Sequence, residues 1–246
     1  HCTSSAASDV YKRQNLDNEI RKAVKNLESL SDKSFGGEGT PLLLSVRSGG
    51  RVSMPGMMDS VLNIGLNDSN VFQLAEAFND ERFALDSYRR LIQMYSNVVL
   101  GVEHERFEAV LANKKRMDNV VSDADFNVDQ LNWIINAYKN TVERFTDSLF
   151  PQDPYEQLTG AIEAVFNSWQ NKRAVIYRKI NNIPDSWGTG ATIQSMVFGN
   201  LNDKSGTGVA FTRNPSNGDK ELYGEYLINA QGEDVVAGIR TPHPIR

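Results

Sequence analysis

The residues whose types and spacing are best suited to binding a ligand lie in segment 45–59, which follows the apolar run 41–44. The segment reads SVRSGGRVSMPGMMD. Arg47 and Arg51 flank three small residues, and Gly56 follows a proline. Guanidinium groups bind phosphate oxygens as planar forks, and small residues allow a backbone to approach a ligand closely. The segment therefore predicts a phosphate-binding loop, with Arg47 on a phosphate and the backbone near Gly56 against the same group.

The same segment has a structural alternative. A basic hairpin tip would also carry two arginines on its surface. Met57 and Met58 could equally form the first turn of a helix that packs into the core, because methionine fills irregular apolar gaps. Residue types and spacing alone leave both interpretations open.

Composition sets limits on the function. The chain has 246 residues, a net charge of −5 and a single cysteine, Cys2. This length suits one large domain or two modest ones. The negative charge argues against non-specific binding to nucleic acid, and no apolar run approaches the roughly 18 residues of a membrane span. One cysteine rules out an internal disulfide framework, and with three scattered histidines it gives no zinc-ligand spacing.

The loop must be positioned by the elements around it. Apolar residues at three- and four-residue steps, beginning with Leu16, Ile20 and Val24, predict a first helix, which leads to a strand at 42–46. After the loop, a short helix is predicted at 60–66. Further helices are predicted at 71–78, 82–99, 104–116, 128–145, from Asp153 or Pro154 to about 169, and at 172–180.

From Pro184 onward, frequent glycines separate short β-prone runs at 192–198, 208–212, 225–229 and 234–239. The pattern predicts an α/β or α+β fold with a large helical insert and a β-rich C-terminal part. It also suggests four segments: a leader at 1–14 that is foreign or without fixed structure, a first part with the loop at 15–69, a helical subdomain at 70–183, and the β-rich part at 184–246.

Further candidate residues lie outside the loop. Arg89 and Arg90 are adjacent on a predicted helix, about 100° apart, so at most one of them faces a ligand. The alternative is a pair of solvated surface arginines. Gln194 and Met196 fall on one face of a predicted strand, where they line an adenine pocket or simply form another sheet face.

Two candidates lie in the glycine-rich part. Segment 205–208, SGTG, is a tight turn that could approach nucleotide phosphates, or a plain β-turn, and it lacks the lysine of a P-loop. Glu233 and Asp234 place two carboxylates at a predicted strand start. They could hold Mg²⁺ with substrate phosphates, or form an acidic turn.

Three blocks of this sequence closely resemble the pyruvate, phosphate dikinase family. They are LLLSVRSGGRVSMPGMMDSVLNIGLND at 42–68, RFALDSYRRLIQMYSNVV at 82–99 and SGTGVAFTRNPSNGDKELYGEYLINAQGEDVVAGIRTPHPI at 205–245. The resemblance runs from about residue 15 to residue 246. It implies an ATP-grasp nucleotide-binding domain. In the family, such a domain passes a phosphoryl group from ATP to a histidine on a separate domain, and that histidine then phosphorylates pyruvate.

The resemblance also implies roles for particular residues. Arg47 matches an arginine on the ATP phosphates, and Arg51, Gly56, Met57 and Met58 belong to the loop that closes over them. The remaining positions implied in nucleotide binding are Arg90, Gln194, Met196, Thr207, Gly208, Glu233 and Asp234. No catalytic residue and no complete metal site is expected within the chain, although Arg47 would support phosphoryl transfer.

For the full-length enzyme the resemblance implies ATP with Mg²⁺, phosphate and pyruvate as substrates, a homo-oligomer, and a cytoplasmic location with an organelle as the alternative. The family's glycine-rich lysine segment is expected before residue 15 and its metal-binding acids after residue 246. The chain is therefore expected to be an incomplete ATP-grasp domain, inactive alone. Two other functions stay open: a water dikinase of the phosphoenolpyruvate synthase type, and a non-catalytic nucleotide-binding module.

Overall fold

The structure, a computed structural model, describes residues 15–236 and 241–245, except for the side chains of Glu233 and Val236. The chain forms two compact units, one ending at Met196 and the other beginning at Val197. The predicted division into four segments follows sequence composition rather than spatial contacts, and it stays a prediction.

A three-stranded antiparallel sheet with strand order β2-β1-β3 organises the first unit. Its strands are β1 (Leu44–Gly49), β2 (Ser60–Ile64) and β3 (Gly190–Ser195). The outer strand β3 follows β2 only after a long helical insertion, so the central strand joins the two ends of this unit.

The first unit also contains helices, some of which pack against one face of this sheet. In chain order they are α1 (Leu16–Ser31), α2 (Val71–Phe78), α3 (Glu81–Val98), α4 (His104–Asp118), α5 (Val128–Thr146), α6 (Pro154–Asn167) and α7 (Lys172–Ile180). α6 contacts all three strands, and α3 contacts β2 and α5. The sheet residues that point to this side are fully buried, including Leu44, Val46, Val61 and Ile64.

Local side-chain chemistry explains where several helices begin. Asp80 accepts a hydrogen bond from the Phe83 N–H at the start of α3, and Asn127 caps α5 in a reciprocal pair with Gln130. Asp153 caps α6 and Pro154 occupies its first turn, where a missing N–H is tolerated. The helices predicted from apolar spacing at these places are confirmed.

The second unit contains β4 (Gly206–Phe211), β5 (Tyr223–Ile228) and β6 (His243–Pro244), paired antiparallel in that order. A short helix, α8 (Gly232–Val236), packs against β4 and β5. The described part of the chain thus combines helices with two small antiparallel sheets, and the predicted mixed α/β class is confirmed.

Three predictions of local structure are wrong. The run at 60–66 is not a helix but contains β2, because Val61 and Ile64 pair with β1 and bury their side chains. The SGTG segment is not a turn, since Gly206 onward lies within β4. The run predicted as a strand from Asp234 contributes to α8 as far as residue 236, and residues 237–240 lie outside the described part.

Candidate functional site

The arginine- and methionine-rich segment forms the connection between β1 and β2, spanning residues 50–59. At its tip the Met57 N–H donates to the Met54 carbonyl at 3.1 Å, around Pro55 and Gly56. Gly56 has φ +71°, so this is a type II β-turn with proline and glycine at its two central positions. A Cβ on Gly56 would have no atom within 4 Å, so glycine is required for its backbone angle and not for lack of space.

A cleft of about 430 Å³ lies between this loop and the strand ends. Arg47 and Ser60 line it from the two strands, and the other lining residues, from the end of β1 and from the loop, are Ser48, Gly49, Gly50, Val52, Ser53, Met54, Pro55, Gly56 and Met58. Its volume is in the range of small-ligand sites. Within the described part of the chain, its lining combines apolar residues with three serines, the Arg47 guanidinium and no carboxylate, which suits an anion.

Arg47 lies on the sheet face opposite the helical core. Its register partners are Ser60 on β2 and Thr192 on β3, so the three side chains share one face. Arg47 is exposed, and no residue within 15–236 or 241–245 forms an ion pair or hydrogen bond with its side chain. An arginine whose charge has no partner in this part of the chain is available to bind a phosphate.

The other predicted residues of this sheet are placed differently. Gln194 is exposed on the same face as Arg47, two residues from Thr192 along β3. Met196 lies one residue past the end of β3, where its N–H donates to the Leu43 carbonyl and its sulfur accepts from the Asn63 N–H at 3.0 Å. The predicted shared strand face therefore ends at Ser195, and the assignment of both residues to an adenine pocket stays a prediction.

Arg51 and the loop methionines make contacts with the helical part of this unit, although Met54 and Met58 also line the cleft. The Arg51 guanidinium lies 5.2 Å from the centre of the Trp187 ring. Met57 and Met58 pack against a small apolar cluster formed by Met54, Trp169 and Ala174. This packing agrees with the structural alternative for Met57 and Met58, but the two residues lie in the connection between two strands and do not begin a helix.

Sequence reasoning missed the residues that hold this loop. The Asp59 carboxylate forms an ion pair with Arg173 and accepts a hydrogen bond from the Asn171 side chain at 2.8 Å. These partners are 114 and 112 residues away in sequence, so no local pattern points to them. Asp59 itself was visible as the acid that ends the segment, but its partner could not be inferred.

Arg90 lies in a charged network on α3. Its Nε donates to Asp86 at 3.1 Å, and the buried Arg89 donates to the other oxygen of the same carboxylate at 2.8 Å. Burial by itself raises the pKa of Asp86, but the charges of Arg89 and Arg90 outweigh it and hold the pKa at about 2. Arg89 is buried and Arg90 is partly exposed, so the alternative of two solvated surface arginines is wrong for Arg89. A phosphate role for Arg90 stays a prediction.

In the second unit, Thr207 and Gly208 lie on β4 opposite Leu227 and Tyr226. A Cβ on Gly208 would lie 2.6 Å from the Glu225 carbonyl oxygen, so the close approach of β5 requires glycine there. Thr207 is partly buried, and its hydroxyl oxygen faces Gly232, the first residue of α8. Packing within this unit accounts for Gly208, and a nucleotide role for both residues stays a prediction.

The two predicted carboxylates lie in α8 and not at a strand start. Asp234 accepts a hydrogen bond from the Gln231 N–H at 2.8 Å and so caps its own helix. Glu233 belongs to α8, but its side chain lies outside the described part of the structure. Within the described residues, no three His, Cys, Asp or Glu side chains come close enough together to hold a metal ion.

A larger cleft of about 510 Å³ lies in the first unit, lined mainly by α1 and α6. It contains none of the predicted residues, and four carboxylates line it, those of Asp17, Asp153, Glu156 and Glu163. Such a lining repels phosphate, so the smaller cleft beside Arg47 is the better candidate for a phosphate site. No helix in the described part of the chain is both long and apolar enough to span a membrane.

A mixed α/β unit with an available arginine beside a cleft suits a nucleotide-binding domain, and the match to a protein family defines this class for the chain. The family model described as "Pyruvate phosphate dikinase, AMP/ATP-binding domain" matches residues 3–246, and the chain belongs to this family. The observed fold is consistent with an ATP-grasp-like domain.

Several proteins named pyruvate, phosphate dikinase are similar to this chain. One from Rhizobium meliloti (strain 1021) is 54% identical over 232 residues, which cover 94% of this chain and 26% of that protein. One from Clostridium symbiosum is 52% identical over 245 residues, covering 99% of this chain and 28% of that protein. A chloroplastic one from Mesembryanthemum crystallinum is 52% identical over 227 residues, covering 92% and 24%. The chain spans about a quarter of the length of these relatives.

Proposed function

We propose that this chain is the ATP-binding part of a pyruvate, phosphate dikinase. In this reaction ATP phosphorylates a histidine on a separate domain and inorganic phosphate, so that AMP and pyrophosphate form and pyruvate becomes phosphoenolpyruvate. The family membership and the names of the relatives support the proposal. The observation that carries it is the exposed Arg47 beside the 430 Å³ cleft of the β1–β2 loop.

In this proposal the cleft binds the phosphates of ATP. Phosphoryl transfer is catalysed mainly by positioning the phosphates and by neutralising their charge. Arg47 would bind phosphate oxygens as a fork, and the hydroxyls of Ser60 and Thr192 on the same sheet face would add hydrogen bonds. Arg90, oriented by Asp86, is a candidate for a second phosphate contact.

Mg²⁺ enters the proposal together with the nucleotide. No carboxylate of the described residues lines the cleft, that of the adjacent Asp59 is already paired with Arg173, and the described residues do not form a metal cage. Mg²⁺ commonly binds one or two carboxylates together with substrate phosphates and water, so the ATP phosphates would supply most of its ligands. The described residues therefore give no basis for assigning a protein ligand to the ion.

The proposal includes phosphate and pyruvate as the other substrates of the full-length enzyme and a homo-oligomeric state. We propose a cytoplasmic location. The chloroplastic relative supports an organelle as the alternative.

A chimeric enzyme tests the activity. The matched 232 residues of the Rhizobium meliloti relative are replaced by those of this chain, and AMP and phosphoenolpyruvate are measured with ATP, pyruvate and phosphate. Removing a charged hydrogen-bond partner costs about 1.5–3 kcal/mol, so Arg47→Ala should lower kcat/KM for ATP by about 10- to 100-fold. Arg116→Ala is the matched control, because Arg116 is exposed on α4 and, within residues 15–236 and 241–245, its side chain donates a hydrogen bond only to Asn113.

The same chimera separates the alternatives. Formation of AMP that depends on added phosphate supports the dikinase, and formation that needs only water supports the synthase-type enzyme. ATP binding without any AMP formation favours a non-catalytic module. Equal activity of the Arg47→Ala and wild-type chimeras would contradict the role proposed for the cleft.

A further inference from the structure

The last residues of the β1–β2 loop are tied to a distant part of the chain. The Asp59 carboxylate binds Asn171 and Arg173, and the Asp59 N–H donates to the Ser168 hydroxyl at 3.1 Å. Arg173 also donates from its Nε to the Met57 carbonyl at 3.1 Å. Residues 168–173 therefore hold both the backbone and the charge at the end of the loop.

Apolar contacts with the helical part of the unit also hold this loop. Met54 is 7% exposed and packs with Trp169 and Ala174, and Met57 and Met58 cover this cluster. Methionines adapt their shape to irregular gaps, so three of them can fit the loop closely against a helical surface.

Trp169 in turn is fixed from two directions. The fully buried Arg178 lies with its guanidinium 4.1 Å from the centre of the Trp169 ring and donates to the Trp169 carbonyl. Its Nε also donates to the Asp185 carboxylate at 2.7 Å, and the Trp169 ring N–H donates to the Asp185 carbonyl at 3.1 Å. Hydrogen bonds and a cation–π contact thus fix the position of Trp169, on which the methionines pack.

The position of Asp59 gives these contacts a functional meaning. Asp59 immediately precedes Ser60, and Ser60 pairs with Arg47 across the sheet. The Asp59 contacts therefore fix the point at which the loop returns beside Arg47, and so the width of the cleft. Because the Arg173 side chain is 53% exposed, its ion pair adds little to the stability of the fold.

We propose that Asp59 and Arg173 are positioning residues for phosphate binding, holding the loop closed over the cleft through α7 and Trp169. This inference rests on the proposed function, because it assigns to the pair a role in that same cleft. It extends the site to a segment that lies more than 100 residues from the loop in sequence. Without this pair, the loop would sample wider conformations, and only a fraction of molecules would be competent to bind.

The test compares variants of the full chain by calorimetric titration with ATP and with inorganic tripolyphosphate. Asp59→Asn and Arg173→Met remove the ion pair, and Arg173→Lys keeps the charge but not the fork to Met57. Glu103→Gln is the matched control, because Glu103 precedes α4, forms an exposed ion pair with Arg106 at 2.9 Å and does not line the cleft. Amide hydrogen exchange of residues 50–58 and the unfolding midpoint are measured for each variant.

We expect Asp59→Asn and Arg173→Met to weaken the binding of both ligands by about five- to tenfold. This corresponds to a binding-competent fraction of about 10–20% of the molecules. Loop amides should exchange faster in the same variants, while the unfolding midpoint stays close to that of wild type. Arg173→Lys should be intermediate, and Glu103→Gln should match wild type. Since Arg173 is on the surface, its variants remain informative if Asp59→Asn fails to fold.

Two results would overturn this inference and leave the proposed function intact. The first is loss of binding in Arg47→Ala with unchanged binding in Arg173→Met. The second is faster loop exchange in Arg173→Met without weaker binding. Failure of the wild-type chain to bind either ligand would instead contradict the proposed function on which the inference rests.

Discussion

Alanine in place of Gly56 would distort the loop without creating a steric clash. Gly56 has φ +71°, and a Cβ there meets no atom within 4 Å. The left-handed conformation costs an L-residue about 1–2 kcal/mol. In global unfolding, the lower entropy of alanine in the unfolded chain offsets part of this cost. We therefore expect a local cost of about 1–2 kcal/mol at the turn itself.

Gly101 provides a matched control for this change. It has φ +72°, and a Cβ added there also meets no atom within 4 Å, but it follows α3 and does not line the cleft. Gly101→Ala should therefore carry the same backbone cost. Guanidinium chloride unfolding, followed by tryptophan fluorescence, should show similar losses for the two variants, or a smaller loss for Gly56→Ala if its loop opens locally.

The two variants should differ in ligand binding. A cost of about 1–2 kcal/mol that arises at the turn when the loop closes weakens tripolyphosphate binding by about 5- to 30-fold in Gly56→Ala, and Gly101→Ala should bind as wild type does. Calorimetric titration measures both. Equal binding by the two variants, with a measured loss of stability in Gly56→Ala, would refute the reasoning that the turn shapes the phosphate cleft.

Two further predictions concern stability. The pKa of Asp86 falls from its ordinary value of 3.8 to about 2 in the folded chain, so its contribution is complete above the unfolded pKa and lost between about pH 4 and pH 2. Between about pH 4 and pH 2, the free energy of unfolding should fall by about 2 kcal/mol less in Asp86→Asn than in wild type. The same fall in both proteins would contradict the charge network. Gly160→Ala would place a Cβ 2.4 Å from the Tyr95 hydroxyl, so it should destabilise α6 despite better helix propensity. Tyr95→Phe should relieve most of that cost in thermal unfolding, and additive effects of the two changes would argue against the clash.

The sequence was sufficient for the long helices and for the strands β1, β3, β4 and β5, but not for β2 and α8. Apolar spacing predicts α3 and α5 because each runs over several turns and buries one face. The five-residue run of β2 has no such length, and its conformation depends on pairing with β1 across the loop. In α8, a Gln231–Asp234 cap starts a single helical turn where the same residues also suit a strand.

In the candidate site, too, the sequence shows local signals but not the contacts between residues that are distant along the chain. The loop and Arg47 could be found from residue types, because arginines among small residues are a local signal. The partners of Asp59 could not, since its ion pair with Arg173 joins residues that are 114 positions apart. The methionines gave an ambiguous signal, and only the apolar surface around Trp169 explains why three of them follow one another so closely.

The central claim is that Arg47 and the β1–β2 loop bind the phosphates of ATP. The most direct measurement compares the dissociation constants of ATP and of adenosine for wild type, Arg47→Ala and the control Arg116→Ala. The account predicts that Arg47→Ala weakens the binding of ATP by about 10- to 100-fold and leaves the binding of adenosine unchanged, because the guanidinium contacts only the phosphates. An equal effect on both ligands, or none on ATP, would contradict it.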